Sequence, residues 1–220
     1  MRYLTMETLY TRDIKSDSGI CAAMQKQATL STLNNFRWVL RALWLTLFCH
    51  SAVADELLFN FGGGPQPGSS QNNWSVGLDY NFYRFERSDR QHILIGASYT
   101  YIGTDAASND SMYAVSVYPQ LSLFPVEGSW PYSIMPSWAE PYFYVRFLGP
   151  SYISSNRLGD RQQAHNFAFQ AQIGVGAIVK TQNDTEIILS LSWKHFSNAN
   201  LYDDNDGIDL PVMFNFGIKF

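Results

Sequence analysis

His195 and Ser197 sit two residues apart in the run His195-Phe196-Ser197-Asn198-Ala199, a general base beside a nucleophile. A serine hydroxyl is a poor nucleophile until a neighbouring base takes its proton, and an imidazole does this near neutral pH. On a β-strand, residues i and i+2 leave the same face roughly 6.5 to 7 Å apart, so the imidazole of His195 is within reach of the Ser197 hydroxyl. The imidazole needs a third group to fix its tautomer and stabilise its charge. The segment that follows, Asn200 to Asp209, offers four carboxylates, Asp203, Asp204, Asp206 and Asp209, together with amides that can stabilise an oxyanion.

The element that must position this pair is a strand. From Ile187 the odd positions Ile187, Leu189, Leu191 and Trp193 are apolar, while Ser190, Ser192 and Lys194 are polar. Side chains alternate faces along a strand, so in a membrane barrel the apolar row looks at lipid and the polar row at the lumen. His195 and Ser197 continue the lipid-facing row, which implies a substrate that is itself a lipid. The same alternation recurs in about eight segments, near 56–63, 73–86, 91–103, 111–124, 141–154, 164–180, 184–198 and 211–220. Trp74, Val76, Leu78, Tyr80 and Phe82, for example, oppose Ser75, Gly77, Asp79 and Asn81. The polar sets are mostly uncharged Ser, Asn, Gln and Gly, the reverse of a soluble lipocalin-like barrel with charged residues outside. The expected fold is therefore all-β, an eight-stranded antiparallel transmembrane β-barrel. Gly62-Gly63-Gly64 opens no helix and reads as a turn in an outer loop.

Targeting signals agree with this fold. Arg37 and Arg41 precede the apolar run Ala42 to Cys49, and Ala52-Val53-Ala54 follows as a small-residue cleavage site. That run is too short to cross a bilayer as a helix. Residues 1–54 thus read as leader and signal peptide, removed on export, and 55–220 as the barrel; the stretch before Met24 is unusually long for a leader. Cys21 and Cys49 both fall in the removed part. Of the formal charge of -4, the barrel keeps nine basic against sixteen acidic residues, which excludes the basic footprint of a nucleic-acid binder. The last strand carries Val212, Phe214, Phe216, Ile218 and Phe220 on one face, and its terminal Phe is similar to the assembly signal of outer-membrane barrels of Gram-negative bacteria. With both termini in the periplasm, the seventh strand runs outward and carries His195 and Ser197 to the outer leaflet, where lipopolysaccharide resides. The segment from Val126 to Glu140 is long for a periplasmic turn.

His-Phe-Ser-Asn-Ala at the end of a late strand, then Asn205, Asp206-Gly207-Ile208, an acid at 209 and a last strand ending in Phe220, together resemble the lipid A deacylase family of the PagL type. The likeness covers about the last thirty residues strongly. It implies an eight-stranded outer-membrane enzyme that hydrolyses the ester-linked hydroxyacyl chain at the 3 position of lipid A without a cofactor or metal. It further implies Ser197 as nucleophile, His195 as general base and Asn205 as oxyanion asparagine. Asn198 belongs to the motif, and a backbone amide just after Ser197 is the natural second oxyanion donor. At 209 the family has Glu, and Asp209 is one methylene shorter. Lipid A in lipopolysaccharide is the expected partner, and a homodimer is left open. His92 and His165 have no Cys or carboxylate at ligand spacing. Two other classes of function remain: a non-enzymatic small barrel acting as anchor, adhesin or narrow channel, and an outer-membrane phospholipase or acyltransferase.

Overall fold

The computed structural model describes residues 56–220 apart from 109 and 184; the expected leader and signal peptide lie outside the described residues. Eight antiparallel strands close into a barrel: β1 (Glu56–Pro65), β2 (Asn72–Ser88), β3 (Gln91–Thr104), β4 (Ser111–Leu123), β5 (Ala139–Ile153), β8 (Phe167–Lys180), β9 (Glu186–Ser197) and β10 (Ile208–Lys219). β10 pairs with β1, so the sheet has no free edge. Closure matters because unpaired backbone groups cannot face hydrocarbon. A small hairpin, β6 (Arg157–Leu158) and β7 (Arg161–Gln162), lies in the loop between β5 and β8. One helical turn, α1 (Trp130–Ser133), lies between β4 and β5.

The alternation read from the sequence is the alternation of burial. Leu57, Phe59 and Phe61 are exposed on β1 while Leu58 and Asn60 are buried, and the same two-residue beat runs through β2, β4 and β10. The outer face is a belt of aromatic and branched side chains, as a barrel bathed in lipid requires. The lumen is packed with polar groups that satisfy one another. Asp79 accepts hydrogen bonds from Arg146 Nη1 at 2.5 Å and Asn60 Nδ2 at 3.0 Å. Lys194 Nζ stands 4.0 Å from Asp79 and donates to Thr100. The Arg146 guanidinium lies 3.9 Å from the centre of the Tyr118 ring and donates to Gln120.

The sequence expectation needs one correction at the start of the barrel. Gly62-Gly63-Gly64 is not a turn but the outer end of β1, paired with β10 and β2. At φ of +154° and +151°, Gly62 and Gly63 bring the chain so close to its neighbours that a Cβ would strike the carbonyl oxygens of Val212 and Asn73. Glycine is there for close approach within a ladder.

Candidate active site

β9 delivers the base and the hydroxyl. His195 and Ser197 are half-buried on the outward face, and Phe196 between them is fully buried toward the lumen. On the β8 side they stand opposite Ala171 and Phe169. The side chain at 171 is small, which leaves the flank of the imidazole open.

β10 delivers the acid, by a device that simple alternation would have missed. Asp209 pairs directly with His195 and Leu210 with Lys194, yet the next pair is Met213 with Ser192. Pro211 and Val212 thus oppose Trp193 alone, a β-bulge at a residue that has no N–H to give the ladder. Strict alternation from outward-facing Phe214 and Val212 would turn Asp209 inward, away from His195. The bulge reverses the phase and puts both on the same outer face.

His195 Nδ1 and Asp209 Oδ1 are 2.9 Å apart. Asp therefore makes the contact despite its short side chain. The carboxylate is held by two further donors, Trp193 Nε1 to Oδ1 at 2.9 Å and Gln66 Nε2 to Oδ2 at 3.2 Å. Trp193 also packs beside the imidazole, with ring centres 5.4 Å apart. Gln66, just beyond β1, is 1% exposed and fastens several groups at once. Its Oε1 accepts from the Asp209 amide at 2.9 Å and from Asn73 Nδ2 at 2.6 Å, and its Nε2 also donates to the Gly207 carbonyl at 3.0 Å. Nothing in the spacing of the sequence marks Gln66. Its neighbour Pro65 and the β1–β10 pairing bring it there from 143 residues away.

Beyond Ser197 the chain reverses through Asn198-Ala199-Asn200-Leu201, closed by the Leu201 amide on the Asn198 carbonyl at 3.1 Å. Ala199 (φ 54°) and Asn200 (φ 59°) are both left-handed, the signature of a type I′ turn. The loop then crosses beneath the hairpin region of the β5–β8 loop. The Asp206 N–H donates to the Gln162 carbonyl and the Gln162 N–H to the Asp206 carboxylate, the Ala164 N–H donates to the Asp204 carbonyl, and His165 packs edge-on against Tyr202. Asp203, Asp204 and Asp206 do not approach His195; of the four carboxylates only Asp209 bonds it.

The two asparagines are joined to one another. Asn198 is fully buried, and its side-chain amide donates to the Asp204 carbonyl at 2.7 Å, stapling the loop. Its backbone N–H, expected to be the second oxyanion donor, instead gives its proton to Asn205 Oδ1 at 2.7 Å. Asn205 Nδ2 gives one hydrogen to Asn200 Oδ1, and its second hydrogen is uncommitted. Among the described residues Ser197 Oγ makes no hydrogen bond, so the hydroxyl and the imidazole share a face without being joined.

Residues 139–219 match the family model described as lipid A 3-O-deacylase (PagL). No curated protein matches the sequence. Among solved structures, the outer-membrane enzyme PagL aligns at a TM-score of 0.50 and 19% identity, covering 75% of this chain and 98% of that one. Neisserial surface protein A aligns at 0.48 and 11% identity, over 76% and 96% of the two chains. The outer-membrane protein OprG from Pseudomonas aeruginosa aligns at 0.41 and 12%, over 78% and 97%. At such identities these likenesses concern the fold. The family match is the specific one, because it spans β5 to β10 and with them His195, Ser197 and Asp209. This chain folds as a closed eight-stranded β-barrel of the outer-membrane kind, and its last four barrel strands match the family model described as lipid A 3-O-deacylase (PagL).

Proposed function

We propose that the barrel is a serine esterase that removes the ester-linked hydroxyacyl chain from the 3 position of lipid A in lipopolysaccharide. One observation carries the proposal: His195 Nδ1 is bonded to a carboxylate at 2.9 Å on the lipid-facing wall, two residues from Ser197. With Nδ1 protonated toward Asp209, Nε2 is the free lone pair and the base. It takes the Ser197 proton as Oγ adds to the acyl carbonyl, giving a tetrahedral oxyanion. Collapse breaks the bond to the sugar oxygen, which leaves as the 3-hydroxyl with the proton from Nε2. The acyl-serine is then attacked by water, again deprotonated at Nε2, and the hydroxy fatty acid departs. The second N–H of Asn205 and the backbone N–H of Ala199, which makes no hydrogen bond among the described residues, are the oxyanion donors. Asn198 acts by holding the loop that presents them.

Residues 1–54 would export the chain, and the outward course of β9 would place the pair at the outer leaflet. The test is mass spectrometry of lipid A from cells with and without the protein. A mass loss equal to one hydroxyacyl chain with wild type, and none with Ser197→Ala at equal barrel abundance, is the expected result. Transfer of the acyl group to another lipid, or an unchanged loss with Ser197→Ala, would overturn it.

A further inference from the structure

The connection between β4 and β5 is the odd member of the inner turns. The other two, around 89–90 and 181–185, are short, whereas 124–138 carries Phe124, Val126, Trp130, Ile134, Met135 and Trp138. Trp130 is 72% and Ile134 67% exposed. In water such a patch would be costly. The segment does not simply plug the barrel mouth. Trp130, Ile134 and Met135 stand over the outer wall, and between them and Val175, Leu189 and Phe216 runs an apolar groove of about 650 Å³. Its floor is low because the outward side chain there is only that of Ala177. The volume lies within the roughly 300 to 1,000 Å³ of ordinary ligand sites.

We propose that this groove holds an acyl chain of a zwitterionic glycerophospholipid of the inner leaflet, bound as a resident lipid. Its place on the wall selects that occupant. Leu191 lies midway along β9, and the groove descends from there to the end of the barrel where both described termini lie, the half opposite Ser197. The groove is also continuous with the lipid-facing belt, so a chain enters it sideways from the bilayer without crossing water. A headgroup finds its complement one residue further along each element. Tyr132, which follows Pro131, and Glu140, which precedes Pro141, line a polar recess of about 220 Å³ with Glu127 and Lys180. Carboxylates suit an ammonium, and Lys180 suits a phosphate.

A second, smaller groove of about 370 Å³ lies above, between Ile173, Trp193 and Val212, and meets the first at Phe143, Val175 and Leu191. The upper groove leads to the His195 level and belongs to the outer leaflet. One wall therefore carries a channel for each leaflet, and among the described residues only the lower is roofed by protein. The inference needs the membrane barrel but not the esterase.

The experiment is native mass spectrometry of the full folded barrel, purified in mild detergent and exchanged through vesicles of phosphatidylethanolamine and phosphatidylglycerol. Wild type is expected to retain one phosphatidylethanolamine per chain. Ala177→Trp, which fills the groove from the wall, should lose most of it, and Trp130→Ala, which removes the roof, should lose it by dissociation during exchange. Ser197→Ala should retain it fully, so the result is separable from catalysis. Retention by Ala177→Trp equal to wild type, or retention of lipid A in place of phospholipid, would overturn the proposal. If Ala177→Trp does not fold, undiminished retention by Trp130→Ala overturns it alone.

Discussion

Gly207 faces the imidazole of His195 so closely that a Cβ at 207 would overlap Cε1 and crowd both ring nitrogens. The Gly207 carbonyl is meanwhile pinned by Gln66 Nε2 at 3.0 Å and Arg161 Nε at 3.1 Å, so the backbone cannot retreat. Gly207→Ala must therefore push the ring instead. Deacylation should fall about 100-fold, the usual effect of a misplacement near 1 Å, while the barrel keeps its folded electrophoretic mobility. Steady-state rates on purified lipopolysaccharide check this.

Asp209 touches His195 without help from a longer side chain, and its carboxylate is already spanned by Trp193 and Gln66. Asp209→Asn should lower turnover by about 10² to 10⁴-fold through loss of the correct tautomer. Asp209→Glu should also fall below wild type, because the extra methylene displaces a carboxylate whose three partners are in place. Replacing Asp203, Asp204 or Asp206 should leave the rate of the chemical step nearly unchanged in single-turnover measurements.

Gln66 is a positioning residue. Gln66→Leu keeps the volume but strands the Asp209 amide and one hydrogen of Asn73 Nδ2, costing about 1–3 kcal/mol of stability. If Gln66 only braced the loop, catalysis in a folded protein would survive. Acting through Asp209, its loss should reduce kcat several-fold with KM little changed, and Gln66→Glu, which sets a carboxylate against Asp209, should be worse than Gln66→Leu.

Ala199 holds a left-handed conformation that costs an L-residue roughly 1–2 kcal/mol. Ala199→Gly should fold and retain activity. Ala199→Val, whose branched side chain fits φ of 54° poorly, should lose deacylation through distortion of the turn after Ser197. Denaturant titration of the folded fraction in vesicles, alongside the rates, separates the two variants.

Much of this architecture was legible because period-two patterning is a direct print of a wall with lipid on one side and packed polar groups on the other. Leu189, Leu191 and Trp193 announce the same face that carries His195 and Ser197, whereas the spacing left four carboxylates, Asp203, Asp204, Asp206 and Asp209, as candidates for the acid, and only the family resemblance singled out 209. What was not legible depends on pairings between distant segments. The phase reversal at Pro211 exists only because β9 is the partner of β10, and Gln66 reaches Asp209 only because β1 closes the barrel beside β10. Asn198 and Asn205 looked like two oxyanion donors, but a type I′ turn points the Asn198 amide at Asn205 instead. The length of the 124–138 connection was visible, whereas its folding along the outer wall was not, since one helical turn leaves no period to read.

The braced interior has a consequence for the cell that hosts the protein. With Arg146, Asp79, Lys194 and Tyr118 locked across the axis, small solutes and ions meet fixed side chains rather than a water column. In planar bilayers the protein should be electrically silent. A bacterium then carries many copies without opening its permeability barrier to antibiotics or bile salts.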